Sequence, residues 1–370
     1  MRSPRRLLRS VLARSADQVL QQLLPRLTPS QLERLLGQVV VGLESKTKTS
    51  LTYHKRPLLA ESVGTWSDPL VQDPPFALII QGPIIKENDF TLNSIRIYKK
   101  NFRNTHIILS TWDDENDGYL DSIRNESIEL IQSRKPDCAG IANINLQIVS
   151  SYAGIQKAES LGVTHVLKTR TDQRLYAPNI PEFLCDLLDV FPVVTGYRQR
   201  QRLIAISLNT FKYRLYGVSD MLVFGKTEDM MCYFGCPLDA RSLEPPTTDI
   251  SVLAWSKLRL AETYLTTEFL DSIGRALVWT LEDSWQVLAD HFVVIDKETL
   301  DLLWPKYNRS EHRWLQYEGI FTNFELNFRE WLRLYTGLDN KKNINYEFLN
   351  LPFGYTYDWP EFLTEDTVKV

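Results

Sequence analysis

The chain has 370 residues, 44% of them apolar, and a formal net charge of −4 from 42 Lys and Arg against 46 Asp and Glu. That length suits one large α/β domain with decorations or two modest domains, and the near-balanced charge gives no reason to expect nucleic acid as a partner. Four scattered cysteines, Cys138, Cys185, Cys232 and Cys236, exclude a disulfide framework and lack the further ligands of a zinc site, so they read as buried small side chains in a reducing compartment.

At the amino terminus Arg2, Arg5, Arg6, Arg9 and Arg14 precede the first acid, Asp17, while Leu7, Leu8, Val11 and Leu12 recur at helical spacing. The pattern predicts a short basic amphipathic helix. It lacks the continuous apolar run of a secretory signal, and nowhere does the chain offer the roughly 18 consecutive apolar residues of a spanning helix. The expectation is a soluble or peripheral protein of the cytoplasm, with this helix a candidate for an anionic membrane surface. Docking on protein and an organellar transit peptide are the alternatives. "SQLERLLGQVVVGL" predicts a second helix behind a capping signal at Thr28-Pro29-Ser30, and "ESKTKTSLTYHKRP" reads as polar linker. Residues 1–73 are therefore taken as a helical extension with linker, 74–300 as the principal domain and 301–370 as an aromatic-rich extension packed on it.

From there strands and helices alternate. "FALIIQG" (Phe76 to Gly82) and "VTHVLKT" read as buried strands, with "THIILSTW" (Thr105 to Trp112) and the shorter "SIELIQS" (Ser127 to Ser133) as strands between them. "FPVVTGY" and "SDMLVFG" read as two more. Between them "NDFTLNSIRIYKKNF" carries Leu92, Ile95, Tyr98 and Phe102 at helical spacing, and "NLQIVSSYAGIQKAESLG" has Ile148, Tyr152 and Ile155 on one face with Gly162 as its stop. Such alternation predicts an α/β fold, a mainly parallel sheet flanked by helices.

In open parallel sheets the ligand crevice lies beyond the carboxyl ends of the strands. Those ends carry Gln81-Gly82-Pro83, Thr111-Trp112-Asp113, Ser133-Arg134, Lys168-Thr169-Arg170-Thr171-Asp172 and Thr195-Gly196-Tyr197-Arg198. A period of two puts Lys168, Arg170 and Asp172 on one face, where two cations beside one acid suit an anionic ligand. Neither a G-x-x-x-x-G-K-[ST] loop nor a G-x-G-x-x-G turn is present, nor H-E-x-x-H or G-x-S-x-G, so the chemistry must be assembled across strand ends. The five histidines share no metal-ligand spacing and read as structural.

Three pieces together resemble the WavE lipopolysaccharide-synthesis family, which is similar to glycosyltransferases of the GT-A type: "IIQGPI", "NINLQIVSSYAGIQKA" before "VLKTRTDQR", and "YGVSDMLVFG". The resemblance covers Phe76 to about Asp296 and returns weakly in "LLWPKYN". It implies a GT-A-like nucleotide-sugar-binding fold and transfer of a sugar from a nucleotide-sugar donor to a surface-glycan or glycolipid acceptor, at the inner face of a bacterial plasma membrane. GT-A enzymes typically hold a divalent metal through an Asp-x-Asp motif. Here that place resembles Arg170-Thr171-Asp172, with one carboxylate. The resemblance thus implies either Mg²⁺ or Mn²⁺ on Asp172 or direct neutralisation of the diphosphate by Lys168, Arg170 or Arg174.

The candidate donor-binding residues are Gln81, Gly82, Pro83, Thr111, Asn145, Gln147, Lys168, Arg170, Asp172 and Arg174. Asp172 could equally be a structural ion pair, and Asn145 a helix cap. Transfer with inversion needs a carboxylate base, for which Asp220, beside Ser219, and Glu262, on a predicted helix, are the candidates. After Asp296 the aromatics Phe324, Phe328, Trp331 and Tyr335 recur at helical spacing and read as a packed helix face, with others among Trp304, Tyr307, Trp314, Tyr317 and Phe321 available for sugars. Two other functions fit the same residues: nucleotidyl or phosphoryl transfer, and a non-catalytic glycan- or membrane-binding scaffold.

Overall fold

The computed structural model describes residues 18–48, 50–64, 75–115, 118–241, 250–305, 325–338 and 350. The chain divides into two compact units, one ending at Arg56 and the other beginning at Pro57. The predicted basic helix over Arg2 to Arg14 lies outside the described residues.

In the first unit, residues 18–23 are helical and pass through a 3-10 turn, Leu24–Arg26, into helix α1, Pro29–Thr47. The capping signal is realised as a reciprocal box: Gln31 N–H donates to Thr28 Oγ1 at 3.3 Å, and Thr28 N–H donates to Gln31 Oε1 at 2.8 Å. The helix stops at Lys48, whose φ of 58° is left-handed. "ESKT", expected to open a linker, belongs to the helix instead. No residue of α1 is buried.

The second unit is built on one sheet. Strands β1 (Phe76–Gln81), β2 (Thr105–Trp112), β3 (Glu129–Ser133) and β4 (His165–Arg170) are parallel in the order β3-β2-β1-β4. A two-residue strand β5 (Arg174–Leu175) follows outside this sheet. Strand β6 (Leu203–Ile206) and β7 (Val223–Lys226) are antiparallel to each other, and β7 is also antiparallel to β4. Strand β8 (Phe292–Ile295), parallel to β6, completes seven strands, and β9 (Leu302–Leu303) pairs with β5. The α/β reading, a mainly parallel sheet flanked by helices, holds.

Helix α2 (Phe90–Asn101) joins β1 to β2, α3 (Gly118–Arg124) joins β2 to β3, and α4 (Ile144–Ser160) joins β3 to β4. The later helices are α5 (Ile180–Val190), α6 (Thr227–Phe234), α7 (Val252–Lys257), α8 (Glu262–Ser272), α9 (Leu281–His291) and α10 (Phe328–Tyr335). Every β1 residue is buried, so the strand is covered on both faces, as its unbroken apolar run requires. Each of Leu78, Ile79 and Ile80 then contributes about 1.5–3 kcal/mol by leaving water. Helix α4 lies directly on this strand: a Cβ at Gly154 would stand 2.6 Å from Ile79 Cγ2.

One strand expectation fails. "FPVVTGY" is irregular; Pro192 has no donor for a ladder, Gly196 sits at φ 101°, and Phe191 turns into the rings of Phe328, Trp331 and Tyr335. Its place is taken by "LIAI" and "FVVI", so Thr195 to Arg198 does not end a strand. "SDMLVFG" supplies β7, but because β7 runs antiparallel its beginning, not its end, reaches the carboxyl edge of β4. The aromatic reading of α10 holds for Phe328, Trp331 and Tyr335, while Phe324 lies outside the described residues. Cys138 and Cys232 are exposed and Cys185 and Cys236 only half-buried, which corrects the reading of all four as core residues.

Candidate active site

The tips of β1 and β4 meet at the carboxyl edge. Ser110, Gln81 and Arg170 are register partners across β2, β1 and β4, so they share one face, with Lys168 one pleat behind on the same side. Gln81 Nε2 donates to Ser150 Oγ of α4 at 2.7 Å, and Ser110 Oγ donates to Ser150 O at 2.6 Å. Beyond the strands, Thr171 N–H donates to Gln81 O and Gly82 N–H to Ser110 O, both at 3.0 Å. Gly82 has φ 122°, and a Cβ there would stand 2.9 Å from Thr171 Oγ1. Only glycine permits this close crossing of the two chains.

Arg170 and Asp172 form a two-pronged ion pair, Nε to Oδ1 at 2.8 Å and NH2 to Oδ2 at 2.9 Å. Asp172 lies past the last residue of β4, so its carboxylate folds back onto Arg170 rather than continuing the strand face. Its Oδ2 also accepts from the indole Nε1 of Trp304 at 3.1 Å. The β5–β9 pairing explains that reach: Arg174 sits opposite Leu303, which brings the chain just after β9 beside the turn after β4.

A second cluster adjoins the first. Lys168 is fully buried, and its Nζ donates to the backbone carbonyl of Asp220 at 2.6 Å and lies 5.4 Å from the Phe234 ring centroid. Burial pushes its pKa down to about 7, opposed by Asp220 and assisted by Arg170. The Asp220 carboxylate accepts a short hydrogen bond from Gln147 Nε2 of α4. Glu262, the first residue of α8, is turned inward by Ala261, whose φ of 40° and ψ of −106° are unfavourable for alanine. Its Oε1 accepts from Asn209 Nδ2 at 3.5 Å, and its Oε2 lies 3.7 Å from Arg214 NH2. Burial raises the Glu262 pKa; Arg214 pulls it back, and the Asp220 charge adds to the rise. Asp220 and Glu262 are 5% and 7% exposed, so each keeps only a narrow opening.

The structure thus brings Gln81, Gly82, Gln147, Lys168, Arg170, Asp172, Asp220 and Glu262 to one edge. Four other predicted residues stand apart or turn inward. Arg174 is buried in the body of the unit, where Nε donates to Ser94 Oγ, NH1 to Leu58 O and Tyr176 Oη, and NH2 to Phe90 O, with the guanidinium 4.3 Å from the Phe90 ring. It ties the 57–60 segment to α2 and does not face the crevice, because its place on β5 points it away from the β1 tip. Asn145 spends its amide on Cys138 O, Asp239 O and Asp239 N. Thr111 is fully buried, its hydroxyl without a partner among the described residues. Pro83 is exposed at the rim. Ser219 is buried and its N–H donates to Thr210 Oγ1 at 3.0 Å. Sequence reasoning missed Asn209 and Arg214 as site neighbours, and read Trp304 as an aromatic available for sugars rather than as a partner of Asp172. Asn209 follows β6, a strand the pattern did not reveal; Arg214 and Trp304 arrive through long connections that no local signal marks.

Asp172 fits a divalent cation poorly as it stands. Both oxygens already accept hydrogen bonds from Arg170, and among the described residues no three His, Cys, Asp or Glu side chains converge on one point. Two open hollows, of about 390 and 400 Å³, lie elsewhere, one lined by Asn179, Glu182, Asp186 and Thr299, the other by Lys99, Arg103 and His106.

Residues 76–353 match the family described as WavE lipopolysaccharide synthesis. No curated protein matches the chain. Among solved structures, a mannosyltransferase of Pyrobaculum calidifontis, in complex with GDP-Man and Mn²⁺, is 12% identical with a TM-score of 0.32, over 60% of this chain and 58% of that one. Mouse xyloside xylosyltransferase 1 is 12% identical at a TM-score of 0.31, over 61% of this chain and 86% of that one. The bifunctional glycosyltransferase WbbM is 12% identical at 0.27, over 56% of this chain and 38% of its own. The chain therefore spans 58% of the first of these. Likeness at such scores carries no argument about activity.

Proposed function

Because the chain belongs to the WavE lipopolysaccharide synthesis family, we propose that it transfers a sugar from a nucleotide-sugar donor to a lipopolysaccharide or other surface-polysaccharide acceptor, at the inner face of the plasma membrane. The observation that carries the reading is the pair of buried acids, Asp220 and Glu262, set beside Lys168 and Arg170 at the carboxyl edge of the sheet. An anionic donor and a hydroxyl acceptor need this combination: a cation, Arg170, facing a departing diphosphate, and a carboxylate facing the proton to be removed.

In the proposed reaction the acceptor oxygen bonds to the anomeric carbon as that carbon's bond to the diphosphate breaks. The leaving group takes the bonding electrons. Asp220, oriented by Gln147 and by the Lys168 bond to its carbonyl, takes the acceptor proton. Arg170, braced by Asp172, faces the charge that builds on the diphosphate. Glu262, its pKa raised by burial, is the electrostatic neighbour of Asp220. Gln81 and Gly82 form the floor on the nucleotide side, where the missing Cβ permits close backbone approach. A Mg²⁺ or Mn²⁺ ion would engage Asp172 only after the Arg170 pair opens, so no step here runs through a metal.

The test is a panel of nucleotide sugars. Acceptor-dependent release of a nucleoside diphosphate supports transfer; release of pyrophosphate assigns nucleotidyl transfer instead. A panel that yields neither product and no thermal shift assigns a non-catalytic binding role.

A further inference from the structure

The first unit has a charge opposite to that of the second and an apolar surface that it does not cover. Residues 1–56 hold eleven Lys and Arg against three Asp and Glu, a net +8, while the remaining 314 residues hold 31 against 43, a net −12. The chain's overall −4 conceals this split. Within α1, Leu32, Leu35, Leu36, Val39, Val40 and Leu43 recur at helical spacing, yet no residue of the helix is buried. Leu36, Val39 and Leu43 are 42%, 58% and 38% exposed, and the preceding helical turns expose Val19, Leu20, Leu23 and Leu24 as well. A 19-residue helix with an uncovered stripe is marginal in water by itself, since packing of the apolar face supplies most helix stability. Both acids of α1 are engaged locally, Glu33 by Lys55 at 2.5 Å and Glu44 by the N–H of Leu51 at 2.7 Å. Arg26, Arg34, Lys46 and Lys48 of the same unit are exposed.

We propose that the apolar face of α1 is a docking surface for an anionic lipid bilayer, lying in the interface with its basic residues at the phosphate level. Charge decides for lipid over an apolar partner: α1 is itself neutral, but the 56-residue unit that carries this uncovered amphipathic helix has an excess of +8, the combination that anionic headgroups attract, each basic residue adding on the order of 1 kcal/mol near the surface. No helix among the described residues is long and apolar enough to cross a membrane, so the helix lies on the bilayer rather than through it. The inference extends the proposed function, because an acceptor assembled on lipid would meet an enzyme held at the same surface.

The experiment sediments the full chain with vesicles of phosphatidylcholine alone or mixed with phosphatidylglycerol. Binding should require phosphatidylglycerol, weaken when salt rises from about 0.05 M to about 0.5 M, and fall at least about tenfold in a Leu36→Asp, Val39→Asp variant. The variant's response to nucleotide sugars in a thermal-shift assay should match the wild type, because both positions belong to the first compact unit and the sheet to the second. That second reading keeps a failure of membrane docking separate from a failure of the transferase assignment. The proposal is overturned if the protein stays in the supernatant with both lipids, or if the double variant pellets like the wild type. It is also overturned if α1 instead mediates a concentration-dependent dimer that the variant abolishes without any lipid binding.

Discussion

Replacing Asp220 by asparagine separates chemistry from folding at the proposed base. The side chain is 5% exposed and its Oδ2 accepts from Gln147, whereas Lys168 is held by the backbone carbonyl. Asparagine has the same shape and keeps an oxygen for the Gln147 bond, and the Lys168 bond does not involve the side chain at all. The stability change should stay within about 1 kcal/mol, the scale of one rearranged hydrogen bond. An amide cannot take the acceptor proton. Loss of a general base lowers turnover by about 10²- to 10⁴-fold, which corresponds to roughly 3–5 kcal/mol in the barrier. The assay is acceptor-dependent release of nucleoside diphosphate, read beside the melting temperature of the same preparation. Turnover within about threefold of wild type would refute the assignment of the base. A large loss of activity with an equally large loss of stability would refute the claim that the side chain acts in chemistry rather than in folding.

Arg174→Met should behave in the opposite way. It removes four buried hydrogen bonds and the contact with Phe90, so the melting temperature should fall by roughly 10 °C, while donor affinity measured well below that transition is unchanged; weakened donor binding in a stably folded variant would contradict its placement. Lys168 gives a pH signature. Its folded pKa is depressed from 10.5 to about 7, so the unfolded chain binds more protons between those values and stability should rise with pH across that window; Lys168→Met should lose this rise, and a parallel pH dependence in the two proteins would show that the lysine is not held as described. Mn²⁺ added without a nucleotide sugar should leave the melting temperature unchanged, since Arg170 occupies both oxygens of Asp172; a shift with the ion alone would reveal a preformed metal site.

Much of the sheet edge was legible beforehand, for an elementary reason. β1 throughout and the middles of β2 and β4 are buried, so each carries an apolar stretch whose polar terminus marks the crevice, and Gln81, Gly82, Lys168, Arg170 and Asp172 stand at or just past those ends. β6 and β8 are four-residue strands, too short for their apolar runs to be told from loops or helix ends. "FPVVTGY" has the apolar composition of a strand, but Pro192 and the ring cluster around Phe191 give it another use.

The sequence alone determined the alternation that makes a parallel sheet, the capping of α1, the aromatic face of α10, and the accumulation of charge after β4. Those are local properties, set by side-chain periodicity and backbone propensity over a few residues. Tertiary structure decided which charges meet. Arg174 and Arg170 are four residues apart and chemically identical, yet one is sealed among the carbonyls of Leu58 and Phe90 and the other lies at the edge with Asp172. Asp220 and Glu262, 42 positions apart in the chain, become electrostatic neighbours only because an antiparallel β7 begins where β4 ends and a strained turn at Ala261 aims α8 inward. The energy of such encounters depends on distance through folded space and on the water excluded between the groups, and neither quantity is encoded in any one segment.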